Sequence, residues 1–263
     1  MKIWTLIENT SSRGDLTAEH GLSLYIEVGE KRILFDAGQS GAFADNAQKM
    51  GIDLSRVDLA VLSHGHYDHG GGIRRFLELN SNAMVYVNPY AFEPHFNAAG
   101  KDIGIDPTLA QSGRIVPVMG EKDLGHGVSI LPGECLKLLQ PVDSNGMTYV
   151  TEGVRKPEDF RHEQYLLLRE GAKRVLISGC SHRGILNIAR WFRPDVLVGG
   201  FHFKHLDPAG EGAAVLADGA HALLKYPAIY YTGHCTGQPQ FDFLKQIMGD
   251  RLHGLSTGSV IEI

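Results

Sequence analysis

Cysteine is scarce in this chain: Cys135, Cys180 and Cys235 are the only three in 263 residues. An odd, small number in a sequence without an export signal excludes a disulfide framework as the basis of the fold. Positive charge is not in excess either, since 25 Lys and Arg stand against 30 Asp and Glu for a formal net charge of -5. Phosphate contacts need clustered cations, so a general nucleic-acid-binding surface is not expected. Long apolar runs are missing as well. The opening Met1-Lys2-Ile3-Trp4-Thr5-Leu6-Ile7-Glu8 meets charge too soon to be the apolar stretch of a secretion signal, and no segment has the length needed to span a bilayer. The expectation is a cytoplasmic protein with no nucleic-acid or membrane partner. Its oligomeric state is left open.

With 43% hydrophobic residues, the chain can bury a full core, as one large domain or two fused halves. Period-two and apolar runs predict strands over 3–8, 22–28 and 32–35, with Gly29-Glu30 as the turn of a hairpin. Further strands are expected at 57–62, 83–87, 114–118, 128–131, 165–168, 174–178, 196–198 and 229–232. Helical spacing predicts helices over 43–50, 73–79, 184–192 and 211–225. Residues 88–115 are the least regular, with Pro89, Pro94 and Pro107 among several glycines. The interspersed Tyr90, Phe92 and Phe96 favour a lid or binding loop over disorder.

The densest chemistry lies in Ser63-His64-Gly65-His66-Tyr67-Asp68-His69-Gly70-Gly71-Gly72. Three imidazoles and a carboxylate within six residues follow an apolar strand, so they fall at a strand end where alternate residues can face one cation. That donor set suits zinc and, less selectively, iron or manganese. Crowding three imidazoles without a metal would leave polar atoms unpaired or protonated side by side. A second strand runs into Gly179-Cys180-Ser181-His182, where a thiolate and an imidazole can reach one cation beside a helix start. The glycines at 70–72 and 199–200 are expected to offer backbone N–H groups to an anion. His95, His126, His205, His221 and His253 stand alone and are expected to be surface or hydrogen-bonded residues.

The His-x-His-x-Asp-His pattern after a short strand, together with Arg32-Ile33-Leu34-Phe35 ending in Asp36-Ala37-Gly38, resembles the metallo-β-lactamase superfamily. Glu19-His20-Gly21-Leu22-Ser23, Gly179-Cys180-Ser181-His182, Gly199-Gly200-Phe201-His202 and Gly233-His234-Cys235-Thr236-Gly237 resemble its branch of dihydropterin-ribofuranosyl-aminobenzene-phosphate synthase-like hydrolases. The resemblance implies an α/β (α+β) fold, a four-layer αββα sandwich filling residues 1–263. It implies one or two divalent metal ions, zinc first and Mn or Fe as alternatives, held by His64, His66, Asp68, His69, His182 and His234. Cys180 is placed beside the metal or as an alternative ligand, Asp36 behind the ligand histidines and His20 at the pocket edge. Asp68 and His202 are the expected catalytic residues, Asp68 orienting a metal-activated water and His202 stabilising negative charge. Cys235 is expected to point away from the site and pack. The superfamily's usual third histidine before the Cys180 position has no clear counterpart. His162 fits the spacing poorly; either Asp159 or His182 takes its place, or the first metal position is weaker than in typical hydrolases, with one ion firmly held and the other labile.

The implied activity is a metal-dependent hydrolase of a small, phosphorylated or pterin-like substrate. A pyrophosphate-releasing condensation of the methanopterin-precursor type, a di-iron redox protein and a non-catalytic pterin or metabolite binder are the alternatives.

Overall fold

The computed structural model describes residues Met1–Ile263. In the first half the chain forms β1 (Lys2–Ile7), β2 (Ser23–Val28), β3 (Lys31–Phe35), α1 (Ala42–Lys49), β4 (Leu59–Val61), α2 (Tyr67–Gly70), α3 (Ile73–Leu79), β5 (Met84–Val87), β6 (His95–Phe96) and β7 (Ile115–Pro117). The second half adds β8 (Lys122–Asp123), β9 (Val128–Pro132), β10 (Thr148–Thr151), β11 (Val154–Pro157), β12 (Gln164–Glu170), β13 (Lys173–Ile177), α4 (Ile185–Phe192), β14 (Val196–Val198), α5 (Gly212–Leu224), β15 (Ile229–Thr232), α6 (Gln238–Met248), β16 (Leu252–Gly254) and β17 (Val260–Glu262).

Two seven-stranded sheets form, in the orders β17-β1-β2-β3-β4-β5-β7 and β16-β15-β14-β13-β12-β9-β8. The two follow the same plan. In the first, pairings are antiparallel from β17 to β3 and parallel from β3 to β7. In the second they are antiparallel from β8 to β13 and parallel from β13 to β16.

Alternation along the strands explains the layering. Ile33 and Phe35, Leu59 and Val61, Leu166 and Leu168, Val175 and Ile177, and Val196 and Val198 share one core between the sheets. The residues alternating with them turn outward. Leu34 and Ala60 pack under α1 and α3 with Phe43, Ala47, Ile73 and Phe76. Tyr165, Leu176 and Leu197 pack under α4, α5 and α6 with Ile188, Leu216 and Leu244. The result is the expected four-layer αββα sandwich. No helix is long and apolar enough to cross a membrane.

Several elements lay outside the predicted set. The hairpin β10–β11 has an outer strand exposed along its whole length, so it carries no apolar alternation. Helix α6 starts on Gly237-Gln238-Pro239 and mixes Gln, Asp and Lys with Phe241, Phe243, Leu244, Ile247 and Met248. Residues 88–115 form two 3-10 turns, Pro89–Phe92 and Pro107–Gln111, and the short β6. Ala91, Ile105 and Leu109 tie that segment into the outer core of the first sheet, and Tyr67 N–H bonds to Ile103 O at 2.9 Å.

Candidate metal centre

The parallel strands of both sheets end at one rim, and the polar motifs sit on those ends. Asp36 follows β3, Ser63 to His69 follow β4, Cys180 to His182 follow β13, His202 follows β14 and His234 follows β15. Asp36, Ser181, His202 and His234 all have left-handed φ angles, between 50° and 58°. Non-glycine residues adopt that region sparingly, and such positions concentrate where surrounding contacts over-determine a site.

Two donor groups result. In the first, one ring nitrogen each of His64, His66 and His182 lies within 4.8 Å of the others, and all three residues are buried. Ser63 Oγ bonds to His64 Nδ1 at 2.8 Å. His64 Nε2, His66 Nε2 and both nitrogens of His182 are buried without a hydrogen-bond partner. Burial first, and then the neighbouring imidazoles, hold the pKa values of His64 and His182 well below 6.5. His66 is lowered as far, by burial and then by His162. These rings are neutral at pH 7, with lone pairs facing one another and no protein proton to satisfy them. The Phe160 ring stacks on His182 at 4.5 Å and fixes its plane.

In the second group, His69 Nε2 lies 3.2 Å from both Cys180 Sγ and His234 Nε2. Asp68 Oδ2 is 3.2 Å from His234 Nε2 and 3.9 Å from His69 Nε2. Donors bound to a tetrahedral zinc at about 2.0–2.3 Å stand about 3.3–3.8 Å apart, so these separations lie within about 0.1 Å of those in a cation cage. Each ring is aimed from behind. Asp36 Oδ2 bonds to His69 Nδ1 at 2.6 Å, and Asn9 Oδ1 meets His234 Nδ1 at 3.0 Å. Burial lowers the His69 pKa, but the charges of Asp36 and Asp68 outweigh it and raise it to about 9. Burial would raise the Asp68 carboxyl, yet His69 and the hydrogen bonds from His20 and His234 bring it well below the ordinary carboxylate range.

The structure therefore brings His64, His66, Asp68, His69, Cys180, His182 and His234 together, with Asp36 behind them. His20 Nε2 lies 3.2 Å from Asp68 Oδ2 at an exposed edge. Of the two candidates for the missing third histidine, His182 joins His64 and His66, while Asp159 bonds to Tyr149 OH instead. The His202 ring lies 4.2 Å from that of His182.

Two expectations are corrected. The Gly70, Gly71 and Gly72 N–H groups bond to His66, Tyr67 and Gly38 carbonyls, and those of Gly199 and Gly200 to Tyr231 and Gly179, so none is free for an anion. Cys235 does not point away: His234–Thr236 is a 3-10 turn, not an extended segment, and the thiol lines the cavity. His95 is hydrogen-bonded, as expected, and buried, its Nδ1 lying 2.9 Å from Glu158 Oε2. His205, in contrast, is exposed, on the cavity rim.

Sequence reasoning missed the residues that aim the donors: Asn9, Ser63, Glu163, whose carboxylate takes the His182 and Arg183 N–H groups, and Glu8, which takes that of His234. The adjacencies of Ser63 to His64 and of Glu163 to His162 were the only signals for any of them.

A cavity of about 370 Å³ opens over the donors. His20, His202, Lys204 and His205 line it together with Asn97 and Asn145, and Asp68 is its only acidic residue.

A two-sheet α/β sandwich with buried His, Asp and Cys donors at its strand-end rim defines a class of metal-site folds. The chain belongs to the metallo-beta-lactamase superfamily, whose profile matches residues 16–140. That superfamily consists largely of metal-dependent hydrolases. An uncharacterized Methanocaldococcus jannaschii protein is 30% identical over 210 residues, 75% of this chain and 77% of that protein. The same organism's 7,8-dihydropterin-6-methyl-4-(beta-D-ribofuranosyl)-aminobenzene-5'-phosphate synthase is 27% identical, spanning 100% of this chain and 96% of the synthase. The crystal structure of Tm1679, a metal-dependent hydrolase of the beta-lactamase superfamily, superposes with a TM-score of 0.84 at 27% identity, covering 100% and 99% of the two chains.

Proposed function

We propose that this chain is a cytoplasmic metal-dependent hydrolase of a small, phosphorylated or pterin-like molecule. The observation that carries the reading is the first donor group, where nitrogens of His64, His66 and His182 are buried without a partner, beside a second group of closely spaced His, Asp and Cys donors. His64, His66 and His182 would hold one divalent ion. Asp68, His69 and His234 would hold a second, with the Cys180 thiolate as a further or alternative ligand. Imidazole, carboxylate and thiolate donors favour zinc, with Mn or Fe as alternatives. When bound, such an ion supplies Lewis acidity and lowers the pKa of a water.

The chain's own residues supply the rest. Asp68, ionised and beside the cavity, accepts a proton at a carboxylate oxygen, and His20 Nε2 at the mouth, 3.2 Å from its Oδ2, holds that carboxylate in place. His202 and Lys204 face the cavity and meet negative charge on the substrate. Asn97 and Ile103, from segment 88–115, form one wall and serve as a binding loop within a single domain. Condensation, the chemistry in the name of the M. jannaschii relative, would use the same cavity, and full-length similarity to that relative favours it as the second reading.

Hydrolysis of bis-p-nitrophenyl phosphate in the presence of Zn²⁺ or Mn²⁺ tests the reading, with His66→Ala and Asp68→Ala as controls. Metal-dependent turnover that both substitutions abolish supports hydrolysis. Tight binding of a pterin phosphate without ester turnover under either metal would sink it in favour of a binding protein.

A further inference from the structure

Cys235 has no task in the reading above. It is buried, yet it belongs to none of the three apolar cores, so it is not a hydrophobic filler. Its thiol lines the cavity and meets the Cys180 carbonyl at 3.4 Å, a contact that a weak S–H donor gives up readily. Metal-binding atoms surround it. Cys235 Sγ, Cys180 Sγ and one ring nitrogen of His234 all lie within 4.8 Å of one another, and all three residues are buried. Cys180 and His234 already belong to the second donor group, each 3.2 Å from His69 Nε2. The backbone is shaped around this sulfur. A Cβ on Gly200 would fall 2.3 Å from Cys235 Sγ, so the glycine leaves it room. The 3-10 turn His234–Thr236, entered at a His234 φ of 50°, sets thiol and imidazole close together.

We propose that Cys235 is a ligand of the second ion, adding its thiolate to the Cys180 thiolate and the His234 imidazole. The inference rests on the metal reading above and goes beyond it in the identity of the ion. Two sulfur donors make the site a soft one, which holds zinc or cadmium and disfavours manganese. Both thiols lose their protons to solvent as the ion enters, so binding releases acid. With His69 the donors number four, the count that zinc takes in a tetrahedral site. Asp68 is then not needed to complete the coordination and keeps its carboxylate for proton transfer.

The test loads full-length wild-type protein and Cys235→Ser with Co²⁺ and follows sulfur-to-cobalt charge transfer in the near ultraviolet. Cys235→Ser removes one of two thiolates, so about half of that absorbance should disappear. In competition with a chelator it should bind one Zn²⁺ at least about 10-fold more weakly, the loss that even an outer partner of a ligand causes, with little change for Mn²⁺. Wild-type charge transfer in a folded, cobalt-loaded Cys235→Ser protein would overturn the proposal and leave the metal reading standing. Wild-type protein that takes up no Co²⁺ removes the metal reading and the proposal with it. Should Cys235→Ser fail to fold, zinc-edge X-ray absorption of His182→Ala, which keeps only the second donor group whole, decides. Two sulfur neighbours at about 2.3 Å from the ion are expected, and a single one overturns the assignment.

Discussion

Asp36 Oδ2 lies 2.6 Å from His69 Nδ1, and this contact turns His69 Nε2 toward Cys180 and His234. The other carboxylate oxygen takes the Ser63 N–H at 2.7 Å, so one side chain aligns both ends of the histidine-rich loop. In Asp36→Asn, Oδ1 can keep the Ser63 bond while an amide N–H₂ faces His69 Nδ1. The ring proton then moves to Nε2 and blocks the donor. Affinity for the second ion should fall by about 10–100-fold, read by zinc competition with a chromophoric chelator.

His182→Ala removes one of three donors from the first group and none from the second. Elemental analysis should find one metal equivalent lost and one retained. His234→Ala should give the complementary loss, and loss of both ions from either variant alone would show that the positions do not fill independently.

Gly65 separates His64 from His66, and a Cβ there would meet the Ala91 carbonyl oxygen at 2.3 Å. Backbone cannot yield as a flexible side chain would, so Gly65→Ala must displace the loop. We expect both a lower melting temperature, by about 1–3 kcal/mol of overpacking, and weakened metal binding; calorimetry and metal analysis report the two separately.

Acid and alkali should destabilise the metal-free protein for different reasons. His162, lowered to about 4 mainly by burial, and His64, His66 and His182, lowered well below 6.5, take up protons more readily unfolded than folded. Their neutral burial costs stability increasingly as pH falls below 6.5. His69 is raised to about 9, so its contribution is complete below 6.5 and lost as pH rises toward 9. Melting temperature in chelator-treated protein should therefore peak near pH 6.5. Added zinc should flatten the alkaline side, because a bound cation replaces the His69 proton.

Lys204 is exposed at the cavity wall and makes no contact with the donors. Lys204→Gln should raise KM for an anionic substrate several-fold with little change in kcat, and the effect should shrink at high salt.

Much of this was legible in the chain. Strands 196–198 and 229–232 and helix 73–79 have the predicted bounds, because apolar runs bounded by Gly or Asn specify them locally. The histidine loop was legible because its donors are adjacent in sequence. What aims the donors was not. Asn9 meets His234 across 225 residues, and Glu163 reaches the His182 backbone only after β12 and β13 pair. Such partners are set by strand register, and no local spacing encodes them. Cys235 was misplaced for a related reason: an extended reading of Gly233–Gly237 sends alternate side chains apart, whereas the 3-10 turn folds them onto one side.

The donors divide between the two sheets, His64 to His69 on one and Cys180, His182 and His234 on the other. A cation touching His69 and Cys180 closes a loop across 111 residues, and one touching His69 and His234 closes one across 165. It would act as a staple between two sheets that are also joined by an apolar core and by the Gln164 hydrogen bonds to Ser63 O and Leu62 O, with the entropic benefit of a long cross-link. Metal removal should then loosen the rim before the core, with amides near Cys180 and His234 exchanging sooner than those of β12 and β13.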